Sequence, residues 1–175
     1  MIKKLFIHRS LPEMYNIDVG DDNKIYTEAS GKKDGIPVIF VHGGPGGQCR
    51  SEHHSLFNPQ IFRSIIFDQR GCGKSIPYRS LEGNNTENLV DDIEKIRDFF
   101  KIKKFLIVGG SWGATLAIKY ALKFPKNLIG VLLRSVFLGT INEINWAFID
   151  GPKNFAPNLY KTCLLYTSDA ADDTR

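Results

Sequence analysis

Residues Lys104–Phe124 read KFLIVGGSWGATLAIKYALKF: an apolar run, a serine bracketed by glycines, then a stretch rich in Ala and Leu. A short apolar run ending in glycine is the pattern of a strand buried on both faces. The stretch beyond it predicts a helix over Trp112–Phe124 that stops at Pro125. Gly109-Gly110-Ser111-Trp112-Gly113 is therefore a Gly-x-Ser-x-Gly sequence at a strand-to-helix turn. A serine on such a turn is held in a strained backbone conformation with its hydroxyl above the sheet edge, and glycines two residues either side keep neighbouring elements clear of it. The helix N-terminus adds unpaired N–H groups and a positive dipole end, both favourable to a developing oxyanion. A plain glycine-rich turn with a helix-capping serine would show the same five residues. The strand before and the helix after favour a nucleophile.

Two further runs, Pro37–His42 (PVIFVH) and Ser64–Phe67 (SIIF), repeat the buried-strand pattern, and Leu128–Leu133 is a fourth. Lys24–Ala29 alternates as a half-exposed strand does, before a turn at 31–35 (GKKDG). Over Thr86–Phe100, Leu89, Ile93, Ile96 and Phe100 recur at helical spacing, with Asn84, Asn85 or Thr86 as caps. Strands alternating with helices predict an α/β fold with a parallel sheet covered on both faces. From Gly139 the pattern weakens to a short helix over Ile141–Ile149, before Gly151-Pro152. Thr162–Arg175 changes character abruptly, and no structure is expected of it.

Composition removes several function classes. Of 175 residues 42% are hydrophobic and 24% charged, which describes one soluble globular domain at most. The net charge is +4, and no basic block exceeds the pairs Lys3/Lys4, Lys32/Lys33 and Lys103/Lys104, so no nucleic-acid partner is expected. No apolar run approaches the roughly 18 residues needed to span a bilayer, and MIKKLFIHRS has too short an apolar core for an export signal. Cys49, Cys72 and Cys163 form no Cys-x-x-Cys pair and no disulfide framework. A cytoplasmic protein without a membrane partner is expected.

Nine of the sixteen glycines fall at 43–47, 71–73 and 109–113, each after an apolar run. His42-Gly43-Gly44-Pro45-Gly46-Gly47 supplies the kind of loop from which a catalytic serine draws its second N–H donor. His42 itself is read as fixing that loop rather than as the general base. Gly71-Cys72-Gly73-Lys74-Ser75 ends like a phosphate-binding loop, but Asp68 stands where its first glycine belongs and Ile76-Pro77 follows instead of a helix. Cys72 is read as a small turn residue, and His53 and His54 as solvated or capping. Asp91, Asp92 and Glu94 are read as the solvated face of their helix.

HGGPGG at 42–47, DQRGCGKS at 68–75 and GGSWGAT at 109–115, in this order, resemble the proline iminopeptidases (prolyl aminopeptidases), serine peptidases of the α/β-hydrolase superfamily. The resemblance runs from about Ile17 to about Lys161 and is loosest over Ile141–Lys161. It implies that Ser111 is the nucleophile and that the backbone N–H groups of Gly44 and Trp112 form the oxyanion hole. It implies release of an N-terminal proline from peptides through an acyl-enzyme, with no metal or organic cofactor. The implied fold is the N-terminal half of an α/β-hydrolase, a mostly parallel sheet with helices on both faces that stops before the lid and last strands. Residues 1–161 would form this partial domain and 162–175 an aberrant tail.

The family's triad runs Ser, Asp, His, with both later members beyond the nucleophile's helix. Here no histidine follows residue 54, Asp150 is read in an Asp-Gly turn, and Asp169, Asp172 and Asp173 lie in the tail. The expectation is the N-terminal half of an enzyme, truncated or misread after about Lys161 and lacking its general base. Its sheet would end after Leu128–Leu133 with an apolar edge uncovered. Two other readings stand: an α/β-hydrolase acting on esters, lactones or amides, and a non-catalytic remnant that binds a partner through that edge.

Overall fold

The computed structural model describes residues 6–8 and 10–162, so the expected tail falls, but for Thr162, outside the described residues. Two units are present, one up to Phe137 and one from Leu138 onward.

The first unit opens with β1 (Glu13–Gly20) and β2 (Asn23–Gly31), an antiparallel hairpin. Asp21 and Asp22 carry it at φ 52° and 55°, the positive values that match a tight turn to the twist of its strands. Tyr15, Ile17 and Val19 alternate inward along β1, a period-2 signal the sequence reading passed over. The turn at 31–35 leads from β2 to β3 (Ile36–Val41), yet these two are not neighbours, because β4 (Phe62–Phe67) lies between them. β5 (Phe105–Ser111) and β6 (Leu128–Val136) complete a sheet of order β1-β2-β4-β3-β5-β6, in which β4, β3, β5 and β6 are parallel. β5 and β6 outrun their expected ends because Gly109 and Gly110 still pair with Leu133 and Arg134.

Helices cover the two faces unequally. α1 (Thr86–Phe99) starts at Asn85, whose side chain accepts from the Asn88 N–H, and α2 (Trp112–Lys123) starts at the serine turn. Leu89, Ile93 and Ile96 of α1 join Leu116, Ala117 and Tyr120 of α2 over Ile39, Ile65, Phe67, Phe105 and Ile107. Each such side chain contributes about 1.5–3 kcal/mol on burial. The opposite face meets a 3-10 helix, Ser51–Leu56: the His53 ring lies on Phe40 and His54 bonds Ser64. At the edge, Val131 and Leu132 of β6 are 43% and 58% exposed, as the sequence led one to expect of an uncovered last strand.

The polar face assigned to α1 needs correction. Asp92 is 1% exposed and accepts two bonds from the buried Arg70, 2.7 Å from Nε and 3.0 Å from Nη2. Glu94 accepts from Tyr120, Arg97 and Asn127. Periodicity within one helix cannot show that a loop elsewhere delivers a guanidinium to its inner side.

His54 is likewise buried, not solvated. Its Nδ1 lies 2.7 Å from Ser64 Oγ and its Nε2 3.5 Å from Glu28 Oε2, while Glu28 Oε1 accepts from Tyr26 at 2.7 Å. His53 does cap, its ring accepting the Arg50 N–H at 3.1 Å.

In the second unit, α3 (Ile141–Asn145) begins with a capping box between Thr140 and Glu143. A π-helical turn, Trp146–Asp150, joins it to α4 (Gly151–Phe155), and residues 157–162 are again helical. Asp150 is therefore helical rather than in an Asp-Gly turn. The Gly151 N–H reaches back five residues to the Trp146 carbonyl, and this widened turn lets the chain pass Pro152 without the four-back bond its ring would have broken. No helix among the described residues is long and apolar enough to cross a membrane.

Two stability measurements test these assignments. Asp92→Ala leaves Arg70 buried without its main partner and should cost about 3–5 kcal/mol in urea unfolding, whereas loss of a solvated carboxylate would cost almost nothing. Burial lowers the pKa of His54 from 6.5 to about 4, with Glu28 opposing and His8 and His53 adding to the shift. Between those values the unfolded chain binds a proton that the folded chain refuses. This contribution is thus fully present above about pH 6.5 and lost as pH falls toward 4. The urea midpoint should fall over that window, and His54→Gln should flatten the fall; an unchanged slope would assign it to other groups.

Candidate active site

Ser111 ends β5 and precedes the first residue of α2 at φ 55°, ψ −123°. That backbone costs about 1–3 kcal/mol for a residue with a side chain and persists only where surrounding contacts impose it. Here they are steric. A Cβ on Gly113 would lie 2.1 Å from the Val41 carbonyl oxygen, and a Cβ on Gly109 would lie 2.1 Å from that of Gly113. The first turn of α2 is thus pressed against the end of β3, and the chain must reverse within one residue. Ser111 is exposed, and its side chain makes no capping bond to α2, which removes the reading of it as a helix cap. Trp112, as the first helical residue, has no intrahelical acceptor for its N–H.

The HGGPGG loop leaves the end of β3 directly beside this turn, where a Cβ on Gly43 would stand 2.9 Å from the Gly110 carbonyl. His42 is buried. Its Nε2 accepts the Gln69 backbone N–H at 3.1 Å, so Nδ1 carries the ring proton and donates to the Gly43 carbonyl at 2.8 Å. Burial lowers its pKa, which keeps the ring neutral. With both nitrogens occupied, His42 holds the loop and is not placed as a base.

The DQRGCGKS loop follows β4, and three consecutive side chains of it are buried. Asp68 accepts from the backbone N–H groups of Cys49 at 2.6 Å and Lys74 at 2.8 Å, and its carbonyl accepts Ser75 Oγ at 2.6 Å. Gln69 Oε1 accepts the Trp112 indole N–H at 3.2 Å, while Nε2 donates to the His42 carbonyl at 2.8 Å. Arg70 pairs with Asp92, as described. No helix N-terminus follows Ser75; instead Ile76 bridges to Lys24, so no phosphate cradle is built. Cys72 is a buried turn residue. The sequence reading weighed Gly71–Ser75 as a phosphate-binding candidate and picked out Gln69 and Arg70 only by resemblance; their one residue-level sign was their place directly after a buried strand.

A cavity of about 410 Å³ opens at Ser111, lined by Phe40, Phe57, Val108, Leu132 and Arg134. A larger hollow of about 870 Å³, lined by Phe6, His8, Lys32 and Pro59, contains none of the motif residues. None of the four histidines bonds Ser111: His8 is engaged with Ser30 and Phe57, and the other three as described. Among the described residues no group of three or more His, Cys, Asp or Glu is arranged to hold a metal ion.

A strained serine between a buried strand and a helix, backed by a glycine-rich loop, defines a class, and residues 36–149 match the family described as the alpha/beta hydrolase fold. The chain belongs to that family. It is 44% identical over 146 residues to a proline iminopeptidase of Arabidopsis thaliana, covering 83% of this chain and 38% of that protein. It is 48% identical over 130 residues to a proline iminopeptidase of Neisseria gonorrhoeae, covering 74% and 42%. A solved proline iminopeptidase-related protein of Thermus thermophilus superposes with TM-score 0.61 at 28% identity, covering 71% of this chain and 44% of that one. The resemblance the three motifs implied therefore extends well beyond them. The chain spans about two fifths of the length of these curated relatives.

The steric account of the turn is testable. Gly113→Ala forces a methyl group against backbone that cannot yield, and should cost on the order of 3 kcal/mol or prevent folding. Ser111→Gly relieves the strain and should raise the urea midpoint by about 1 kcal/mol equivalent; a fall would mean that the turn is not strained.

Proposed function

We propose that this chain carries the nucleophile and oxyanion hole of a prolyl aminopeptidase. The observation that carries the reading is the exposed, uncapped Ser111 on its strained turn, with Trp112 opening α2 on one side and the HGGPGG loop packed on the other. The similarity to proline iminopeptidases supports the choice of substrate, a peptide with a free N-terminal proline.

In this reading Ser111 Oγ attacks the carbonyl carbon of the N-terminal proline residue while its proton passes to a histidine. Negative charge grows on the carbonyl oxygen, where the N–H groups of Gly44 and Trp112 receive it; one such donor is worth about 3 kcal/mol. The intermediate collapses to a prolyl-Ser111 ester and the shortened peptide leaves with the transferred proton. Water then cleaves the ester, releasing proline and restoring the hydroxyl. The base and its orienting aspartate are not among the described residues, and no step calls for a metal or organic cofactor. The apolar cavity at Ser111 suits a pyrrolidine ring. The composition suits a cytoplasmic enzyme.

The protein expressed from its own gene should release proline from proline p-nitroanilide but not from the N-acetylated analogue. Ser111→Ala should lower kcat by roughly 10⁶-fold with an unchanged melting temperature. The 175-residue chain alone should show no turnover, since none of its histidines is placed at Ser111. Ester or lactone cleavage without proline release would move the protein to another branch of the family, and the absence of any Ser111-dependent hydrolysis would leave a binding remnant.

A further inference from the structure

We propose that Gln69 is the positioning residue that sets the two halves of the oxyanion hole at their working separation, an inference that rests on the assignment of Gly44 and Trp112 above. The two donors belong to segments far apart in sequence, one beyond β3 and the other at the start of α2. Apart from the backbone packing of Gly43 on the serine turn and of Gly113 on the Val41 and His42 carbonyls, they are tied by one side chain. Gln69 is 2% exposed, and its amide touches one residue of each half: the Trp112 indole at 3.2 Å and the His42 carbonyl, two residues before Gly44, at 2.8 Å.

The chemistry of the partners requires an amide. An indole N–H can only donate and a carbonyl can only accept, so the bridging group needs one acceptor and one donor a fixed distance apart. This also fixes the amide orientation, with Oε1 toward Trp112 and Nε2 toward His42. A carboxylate of the same length offers two acceptors and would repel the carbonyl, whereas a carboxylic acid again offers one of each. Leucine fills the space and bonds neither. The backbone N–H of the same residue holds His42 Nε2 at 3.1 Å, and this bond survives any side-chain change, so the loop stays anchored while its polar tie to Trp112 is lost. Neighbouring Asp68 and Arg70 brace other segments, the Cys49 and Lys74 backbone and α1 respectively, and do not touch Trp112.

A hole that is present but loose binds substrate and fails at the transition state, so the effect belongs in kcat. In the protein expressed from its own gene, Gln69→Leu should lower kcat about 10²-fold with KM within about threefold. Gln69→Glu should match it at pH 8 and regain a substantial part of the loss at pH 5, relative to wild type at each pH, because burial and the facing His42 carbonyl raise the carboxyl's pKa so that it protonates there. Proline p-nitroanilide and p-nitrophenyl acetate serve as parallel substrates: loss of the first alone in wild type sinks the prolyl assignment, while the second still reports on the hole. If wild type turns over neither, the 175-residue chain decides the matter by NMR, where Gln69→Leu should move the Trp112 indole resonance and the Gly43 and Gly44 amides together. Equal changes in kcat and KM with a lowered melting temperature and no recovery at low pH would overturn the proposal, as would resonances of the loop that ignore the substitution.

Discussion

The contact on which this structure depends is the approach of Gly113 to the Val41 carbonyl, so close that a single methyl group would sit 2.1 Å from the oxygen. It brings the start of α2 against the end of β3 while β5, the strand feeding α2, lies beside β3. With both ends so constrained, the direction change falls on one residue, and Ser111 takes a positive φ that it would not adopt alone. Exposure of the hydroxyl, the missing cap and the unpaired N–H at Trp112 are consequences of that geometry. The strain is offset by the apolar packing of α2 on the sheet, through Leu116, Ala117 and Tyr120.

A second layer of order is polar. Asp68, Gln69 and Arg70 are consecutive, all buried, and each is spent on different segments: the Cys49 and Lys74 backbone, the pair His42 and Trp112, and helix α1. Buried groups of this kind add little net stability, since desolvation consumes most of what their bonds return. Their value lies in specificity, because each bond is satisfied in one arrangement of the loops and left costly in any other.

The elements easiest to read in advance were those whose signal is local. The apolar runs of β3, β4, β5 and β6, the period of α1 and the Gly-x-Ser-x-Gly turn all declare themselves within a window of a dozen or so residues. β1 was legible in the alternation of Tyr15, Ile17 and Val19, though its polar partners obscured it. Asp92 and His54 were misplaced for another reason. A carboxylate on the polar side of a helix and a histidine beside another histidine look solvated until something distant in sequence is folded onto them, here Arg70 and the pair Ser64 and Glu28.

By itself, then, the sequence determined that β3, β4, β5 and β6 are strands and α1 and α2 helices, where the Gly-x-Ser-x-Gly serine sits between two of them, and that the three glycine-rich loops follow strands. Those properties follow from local sterics and hydrophobic period, which act over a few residues. Only the tertiary structure decided that β4 separates β2 from β3, that Ser111 is uncapped, that His42 spends both ring nitrogens on its own loop, and that Gln69 joins the turn to that loop. Each is a pairing between groups distant along the chain, and whether a hydrogen-bonding group meets water or a partner is settled only when the chain closes around it.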